Sequence, residues 1–325
     1  MRFKSAPTKN APTANRNAPT PGWNMYWIPD SGRYYVGINA TVKIDYLLFQ
    51  FYLSWGIYMM DSQIQSLPEA IRKYIEGREY TIDDMGKSGS KVLIFEDMVL
   101  KITDKPCDDK DAVEMMRWLE GKIPAPRIIV FEEDDSYSYL LMTRVRGKIA
   151  CDKYYLERPK ELVPLLSKSV KMLQSIDITD CPVVKNLDRE LKKAAYRVKN
   201  GLVDISDAEP DTFGENGRFR DPEELLSWLQ ENRPPYEPVL SHGDLCLPNI
   251  LIEKGDISGF IDMGNCGIAD KWEDIAILYR SLRHNFDGTY GKIYPGLDPD
   301  SFFEELGIAP DREKIDYYIL LDELF

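Results

Sequence analysis

Asp244, Asn249 and Asp262 fall in one short stretch near the C-terminal third of the chain, with Asn249 five residues after Asp244 and Asp262 opening an Asp-Met-Gly triplet. Two apolar runs, 249–253 and 257–261, flank a Lys254-Gly255-Asp256 turn, a pattern that reads as a β-hairpin. Such a hairpin puts Asn249 at the start of one strand and Asp262 at the end of its neighbour, so they meet at one edge. Asp244 lies in the loop feeding the first strand, at the same end. An amide oxygen and a carboxylate converging there are hard ligands suited to Mg²⁺, which keeps water and takes nucleotide phosphates. Asp244 is then free to accept the proton of an attacking hydroxyl. An Asp, an Asn five residues on and a later Asp-x-Gly follow the order of the kinase phosphoryl-transfer template. Taken singly, the pieces have ordinary explanations: an Asp-x-Gly turn, a satisfied structural His242, a solvated strand Lys101. Their combination points to nucleotide-dependent phosphotransfer.

The elements that must position these groups form two sets. The spacing of Ile64, Leu67, Ile71, Tyr74 and Ile75 predicts a helix stopped by Gly77. Residues 91–95 and 98–102 predict a hairpin turning at Glu96-Asp97, preceded by the Gly/Ser stretch 86–90, whose backbone N–H groups can approach phosphate oxygens. A helix over 109–120 and strands over 127–131 and 137–142 follow, and 143–147 reads as a connector. Beyond it the pattern turns mainly helical: 160–174, 187–200 closed by Gly201, 222–230 with Asp221 as N-cap and Pro222 at N1, then 271–284, 300–306 and 311–324.

Composition bounds the rest. The 325 residues carry 29% charged and 43% hydrophobic side chains, which excludes wholesale disorder and a multi-span membrane protein. Net charge is -13, and the acidic balance argues against a nucleic-acid partner and for a cationic small molecule. Cys107, Cys151, Cys181, Cys246 and Cys266 show no CxxC spacing and the two His are distant, so zinc is not indicated and reduced thiols in a cytoplasm are expected. Residues 1–21 repeat Ala-Pro-Thr three times and are expected to be disordered. The uncharged run Tyr46 to Met60 is shorter than the roughly 20 residues of a spanning helix. Residues 1–59 hold six Lys/Arg and two Asp, whereas the remainder has 35 Lys/Arg against 52 Asp/Glu. This contrast marks 1–59 as a disordered or dispensable extension, with Met60 as the natural start.

SHGDLCLPN (241–249) and GFIDMGNCGIADKWEDIA (259–276), with WLEGKIPAP (118–126), SIDITDCP (175–182) and the ending YYILLDELF, resemble the aminoglycoside phosphotransferases, and within them the 3'-phosphotransferase group. The resemblance spans about 64–325. It implies an α+β, bilobal protein-kinase-like fold, with a small antiparallel-sheet N-lobe over 60–143 and a mainly helical C-lobe over 144–325. It also implies transfer of the γ-phosphoryl group of ATP to an aminoglycoside hydroxyl, and antibiotic resistance. Asp244 would be the base, Asn249 and Asp262 the Mg²⁺ ligands, Lys101 the α/β-phosphate lysine, and Ser88, Gly89 and Ser90 the phosphate-covering loop. Thr143, Arg144 and Val145 would form the adenine-binding hinge, with Met142 behind it. Where the pattern expects a Glu to pair with the lysine, this chain has Ala112, and Glu114 is the nearest acid. Val99 stands where relatives can stack an aromatic on adenine.

The acceptor side is assigned to Asp211, Glu215, Arg280, Asp322, Glu323 and Phe325. The loop 204–215 holds five acids and no base, and at the C-terminus the negative end of a helix coincides with Asp322, Glu323 and the α-carboxylate of Phe325. Rival readings are a kinase of another small hydroxylated substrate, such as choline or a sugar, and a non-catalytic nucleotide-binding module.

Overall fold

Three sheets and the helices beside them carry the residues of interest. The computed structural model describes residues 23–28, 33–38, 64, 66–83, 90–105, 109–206 and 208–325. Residues 1–21 lie outside these, as does the apolar run 46–60. The chain divides into two units, 1–66 and 67–325. In the first, β1 (Trp23–Ile28) pairs antiparallel with β2 (Arg33–Ile38), Trp23 opposite Ile38.

In the second unit the helix expected over 64–75 is interrupted at Pro68, and α1 spans Glu69–Ile75. Proline steers the residue before it away from helical angles, while the Pro68 carbonyl accepts from Ile71 N at 2.9 Å and Arg72 N at 3.0 Å. The chain continues through β3 (Thr81–Asp83), β4 (Lys91–Ile94), β5 (Met98–Asp104), α2 (Asp109–Leu119), β6 (Ile128–Glu133) and β7 (Tyr137–Thr143). The five strands form one antiparallel sheet in the order β3-β4-β5-β7-β6. Strand alternation divides its faces. Leu93, Leu100, Tyr139 and Leu141 are buried, whereas Val99, Lys101, Leu140 and Met142 share the half-buried face. Register sets Lys101 opposite Leu140 and Val99 opposite Met142.

Next come β8 (Lys148–Ile149), one helical turn at Lys153–Leu156, α3 (Pro159–Gln174), α4 (Leu187–Lys199) and α5 (Pro222–Glu231). β9 (Pro238–Ser241), a 3-10 turn at Leu247–Asn249, β10 (Ile250–Glu253), β11 (Asp256–Phe260), a 3-10 turn at Met263–Asn265 and β12 (Gly267–Asp270) follow. The chain closes with α6 (Lys271–Asp287), α7 (Ser301–Leu306) and α8 (Arg312–Asp322). The N-caps are chemically explicit: Asn186 accepts from Arg189 N, Asp221 from Glu224 N, Asp270 from Trp272 N and Asp311 from Lys314 N.

β10 and β11 form the expected hairpin, but its turn is Lys254-Gly255, both at positive φ, which suits a two-residue connection between twisted strands. Asn249 ends a 3-10 turn rather than opening the strand. β8, β9 and β12 were not expected; each is too short to show a period. β9 pairs antiparallel with β12, Ser241 opposite Gly267, which brings residues 242–246 beside 262–266. One core runs from Met115 to Leu324, with Ile275, Leu278 and Leu282 of α6 fully buried in it. Among the described residues no helix is long and apolar enough to cross a membrane.

Candidate active site

The loop after β9 is held from three directions. Asp274, in the first turn of α6, accepts from Ser241 Oγ at 2.9 Å, His242 N at 2.7 Å and Gly243 N at 3.0 Å. Gly243 has φ +78°, and a Cβ there would lie 2.2 Å from the Asn265 carbonyl oxygen, so the loop needs glycine. His242 is fully buried, and its Nε2 is 2.9 Å from the Ile261 carbonyl, which can only accept, so the ring carries its proton on Nε2. Ile261 N donates in turn to the Asn249 carbonyl at 3.0 Å. The residue before Asp262 is thereby fixed on both its amide and its carbonyl.

Asn249 Nδ2 donates to the Asp244 carbonyl at 2.9 Å and to its carboxylate at 3.0 Å, leaving the amide oxygen turned to other work. Asp262 adopts the left-handed region, φ 58° and ψ 53°, a conformation an Asp holds only at some cost. Burial raises the Asp244 carboxyl above its ordinary value; Asp322 and Asp262 add to the rise and His242 opposes it. Burial, with the Asp244 charge adding, likewise pushes the Cys246 thiol far up, which removes it as a nucleophile.

On the nucleotide side, Lys101 Nζ stands 3.4 Å from Asp262 Oδ1. Glu114 is not its partner: α2 buries Ala112, Val113, Met115, Met116 and Leu119, and Glu114, about 200° around the helix from Ala112, is left exposed to solvent. Ser90 Oγ is 3.1 Å from Thr103 Oγ1, while Ser88 and Gly89 lie outside the described residues. In the segment assigned as the hinge, Thr143 N donates to Arg127 O and Arg144 N to Asp97 O, both at 2.9 Å, so two of its three amides are committed to backbone carbonyls. Met142, opposite Val99 across the β5–β7 pair, is half-buried, as is Val99.

Next to Gly243 opens a cleft of about 80 Å³, lined by Lys185, Glu190, Asn265, Glu273, Asp322 and Phe325 among others. The acids at the helix terminus are not left unrelieved, as the sequence suggested. Arg280 pairs with Asp322 and, at 3.5 Å, with Glu323. Arg197 donates to the Leu324 carbonyl at 2.8 Å and to Phe325 O at 2.7 Å. Glu323 is buried and accepts from Glu209 N at 3.2 Å, and Glu209 meets His284 Nε2 at 3.1 Å. Asp322 and Phe325 therefore line the cleft, whereas Arg280 and Glu323 support it from behind. Asp211 and Glu215 are exposed on the 204–219 loop and do not line it.

The profile of the phosphotransferase enzyme family (APH) matches residues 88–300. An aminoglycoside 3'-phosphotransferase of Enterococcus faecalis is 39% identical over 266 residues, covering 78% of this chain and 97% of its own. The chain belongs to the aminoglycoside phosphotransferase family. The crystal structure of an aminoglycoside-3'-phosphotransferase of type VIII aligns with a TM-score of 0.66 at 28% identity, over 79% of this chain and 97% of that one. An aminoglycoside phosphotransferase from Streptomyces rimosus, in complex with ADP and streptomycin, aligns at a TM-score of 0.60 and 26% identity over 74% of this chain and 94% of that one. The α+β, protein-kinase-like fold expected from the motifs is the one observed.

In this member of the aminoglycoside phosphotransferases, sequence reasoning found the loop and missed the wall. Glu190, on α4, carries no motif, and Glu273, in the first turn of α6, lies in the 259–276 motif without being singled out there; both become neighbours of Asp322 only through the fold. The donor set also bears on the metal. Among the described residues no group of three or more His, Cys, Asp and Glu forms a cage. One carboxylate from Asp262 and one amide oxygen from Asn249 fit a hard divalent cation that keeps water and phosphate as its remaining ligands.

Proposed function

We propose that this chain transfers the γ-phosphoryl group of ATP to a hydroxyl of an aminoglycoside, at the 3' position, and so confers resistance from the cytoplasm. The single observation that carries the reading is the placement of Asp244. Asp262, which pairs with Lys101, and Asp322, which lines an acidic cleft with Glu190, Glu273 and Phe325, both act electrostatically on it. A polycation suits that cleft better than a monocation such as choline, which needs fewer acids.

In the mechanism, the acceptor oxygen attacks the γ-phosphorus, the bond to the β–γ bridging oxygen breaks, and ADP leaves. Asp244 takes the hydroxyl proton, and Asn249 fixes the orientation of that carboxylate. Lys101 offsets charge on the phosphates. Mg²⁺, held by Asn249 and Asp262, would neutralise charge on the β- and γ-oxygens. Among the described residues Cys151, Cys181, Cys246 and Cys266 are free thiols, which accords with a reducing compartment. Residues 60–143 and 144–325 serve as the nucleotide and acceptor lobes, and 1–59 are dispensable.

ADP release by residues 60–325 with Mg-ATP tests this, comparing kanamycin, the 3'-deoxy aminoglycoside tobramycin, choline and no acceptor. The expected result is turnover with kanamycin alone. Equal turnover of tobramycin removes the 3' assignment, and turnover of choline alone removes the substrate class.

A further inference from the structure

The acceptor cleft is not uniformly acidic. Lys185 lines it beside Gly243 and Asn265, yet the residue is only 6% exposed, a depth at which lysine is ordinarily paired with a carboxylate. Its ammonium meets neutral oxygens instead: the Gly264 carbonyl at 3.3 Å and Asn265 Oδ1 at 3.4 Å. That accounts for two of its three N–H donors. Lys193, the other lysine of the cleft, is different, since it pairs with Glu190 at 3.5 Å and is nearly half exposed. Burial, with Lys193 adding, lowers the Lys185 ammonium's pKa.

The position of this charge is built into the fold. Lys185 N donates to Ile268 O at 2.8 Å and Ile268 N to Val183 O at 2.9 Å, which fastens the segment to β12. The stem passes so near Gly267 that a Cβ there would lie 3.1 Å from Lys185 Cγ. Across the same cleft, Glu190 has one buried carboxylate oxygen without a hydrogen-bond partner. Burial, then the neighbouring Asp274 and Glu190 charges, push the Glu273 carboxyl well above its ordinary value. The cleft thus combines acids, of which Glu190 and Asp322 already have Lys193 and Arg280 as partners, with a cation held at a fixed place beside Asn265 and within electrostatic reach of Glu190 and Glu273.

We propose that Lys185 is a specificity residue that sorts hydroxyl from ammonium in the acceptor. Its charge repels an ammonium beside the reacting hydroxyl, and the ammonium groups are drawn to Glu190 and Asp322. The molecule therefore enters in one register, with a hydroxyl toward Asp244. This inference rests on the aminoglycoside reading above.

Kanamycin A and kanamycin B differ only in carrying a hydroxyl or an amine at the 2' position, adjacent to the 3'-hydroxyl, and give the test. The ratio of their KM values is measured for the wild type, Lys185→Met, Lys185→Gln and Lys185→Arg, with ATP saturating. Removing the charge is expected to shift the ratio toward kanamycin B by about tenfold. Lys185→Arg is expected to keep the wild-type ratio, and kcat to change equally for both substrates. An unchanged ratio in whichever of the Met and Gln variants folds overturns the proposal, because a merely structural lysine would alter both substrates alike. Wild-type inactivity toward both kanamycins overturns the activity itself and the proposal with it.

Discussion

On the proposed mechanism Asp244 serves as the base only while its carboxylate is aimed, and the aim comes from Asn249, whose amide nitrogen reaches both its carboxylate and its carbonyl. Removing the carboxylate removes the proton acceptor and leaves Lys101 and Asp262 in place. Asp244→Ala is therefore expected to lower kcat by about 10² to 10⁴ while ATP affinity holds within about threefold, checked by steady-state ADP release and calorimetric nucleotide titration. Wild-type turnover would exclude Asp244 as the base. One residue earlier the constraint is steric. Gly243→Ala must place a Cβ 2.2 Å from the Asn265 carbonyl oxygen at a φ of +78°. The left-handed backbone alone costs an L-residue about 1–2 kcal/mol, and relieving the contact displaces the Met263–Asn265 turn behind Asp262. Thermal unfolding should register at least that loss, and kcat should fall with it. Alanine tolerated without change in either would mean that the loop is not held as described.

At the scale of elements, the end of α8 is joined to the 204–219 loop through Glu323, which meets Arg280 and the Glu209 amide while almost fully buried. Burial first, then the Glu209 and Asp322 charges, raise its carboxyl to about 7, against the pull of Arg280. The folded state therefore retains a proton that the unfolded chain releases near pH 4 to 5. Stability from this group is fully present below that range and is lost as pH rises through about 7, with an upper bound of about 3 kcal/mol. Glu323→Gln should raise the unfolding temperature at pH 8, leave it nearly unchanged at pH 5, and flatten the slope between; equal shifts at both pH values would contradict the buried charge. The pairing within this joint was not legible in the sequence, which placed Arg280, Asp322 and Glu323 on the acceptor side without showing that Arg280 pairs with the two acids, and did not point to Arg197, whose partners come from a distant segment. What was legible had local causes. Asp221-Pro222 fixed the start of α5, and the Asp244, Asn249, Asp262 order sits in one contiguous loop and hairpin. β9 and β12 were missed because four residues show no period, although their pairing brings that loop against Asp262. Glu114 was chosen for proximity in sequence, and helical rotation turned it away.

For the whole molecule the relevant quantity is charge. Residues 60–325 carry 35 Lys/Arg against 52 Asp/Glu, a net of -17. That excess acts on the two substrates in opposite senses, attracting an aminoglycoside polycation and repelling the nucleotide. Within the cleft the local ion pairs are already made, by Arg280 with Asp322 and by Lys193 with Glu190, so the long-range part of the attraction is what added salt removes first. Raising KCl from about 20 mM to about 500 mM is expected to lower kcat/KM for kanamycin by about tenfold, mainly through KM. Over the same range kcat/KM for ATP should hold or rise, since screening weakens a repulsion. Initial-rate measurements with each substrate varied at saturating levels of the other distinguish the two trends. A parallel decline for both substrates would point to salt acting on the fold, and would remove whole-molecule charge as the reason this chain favours a polycation.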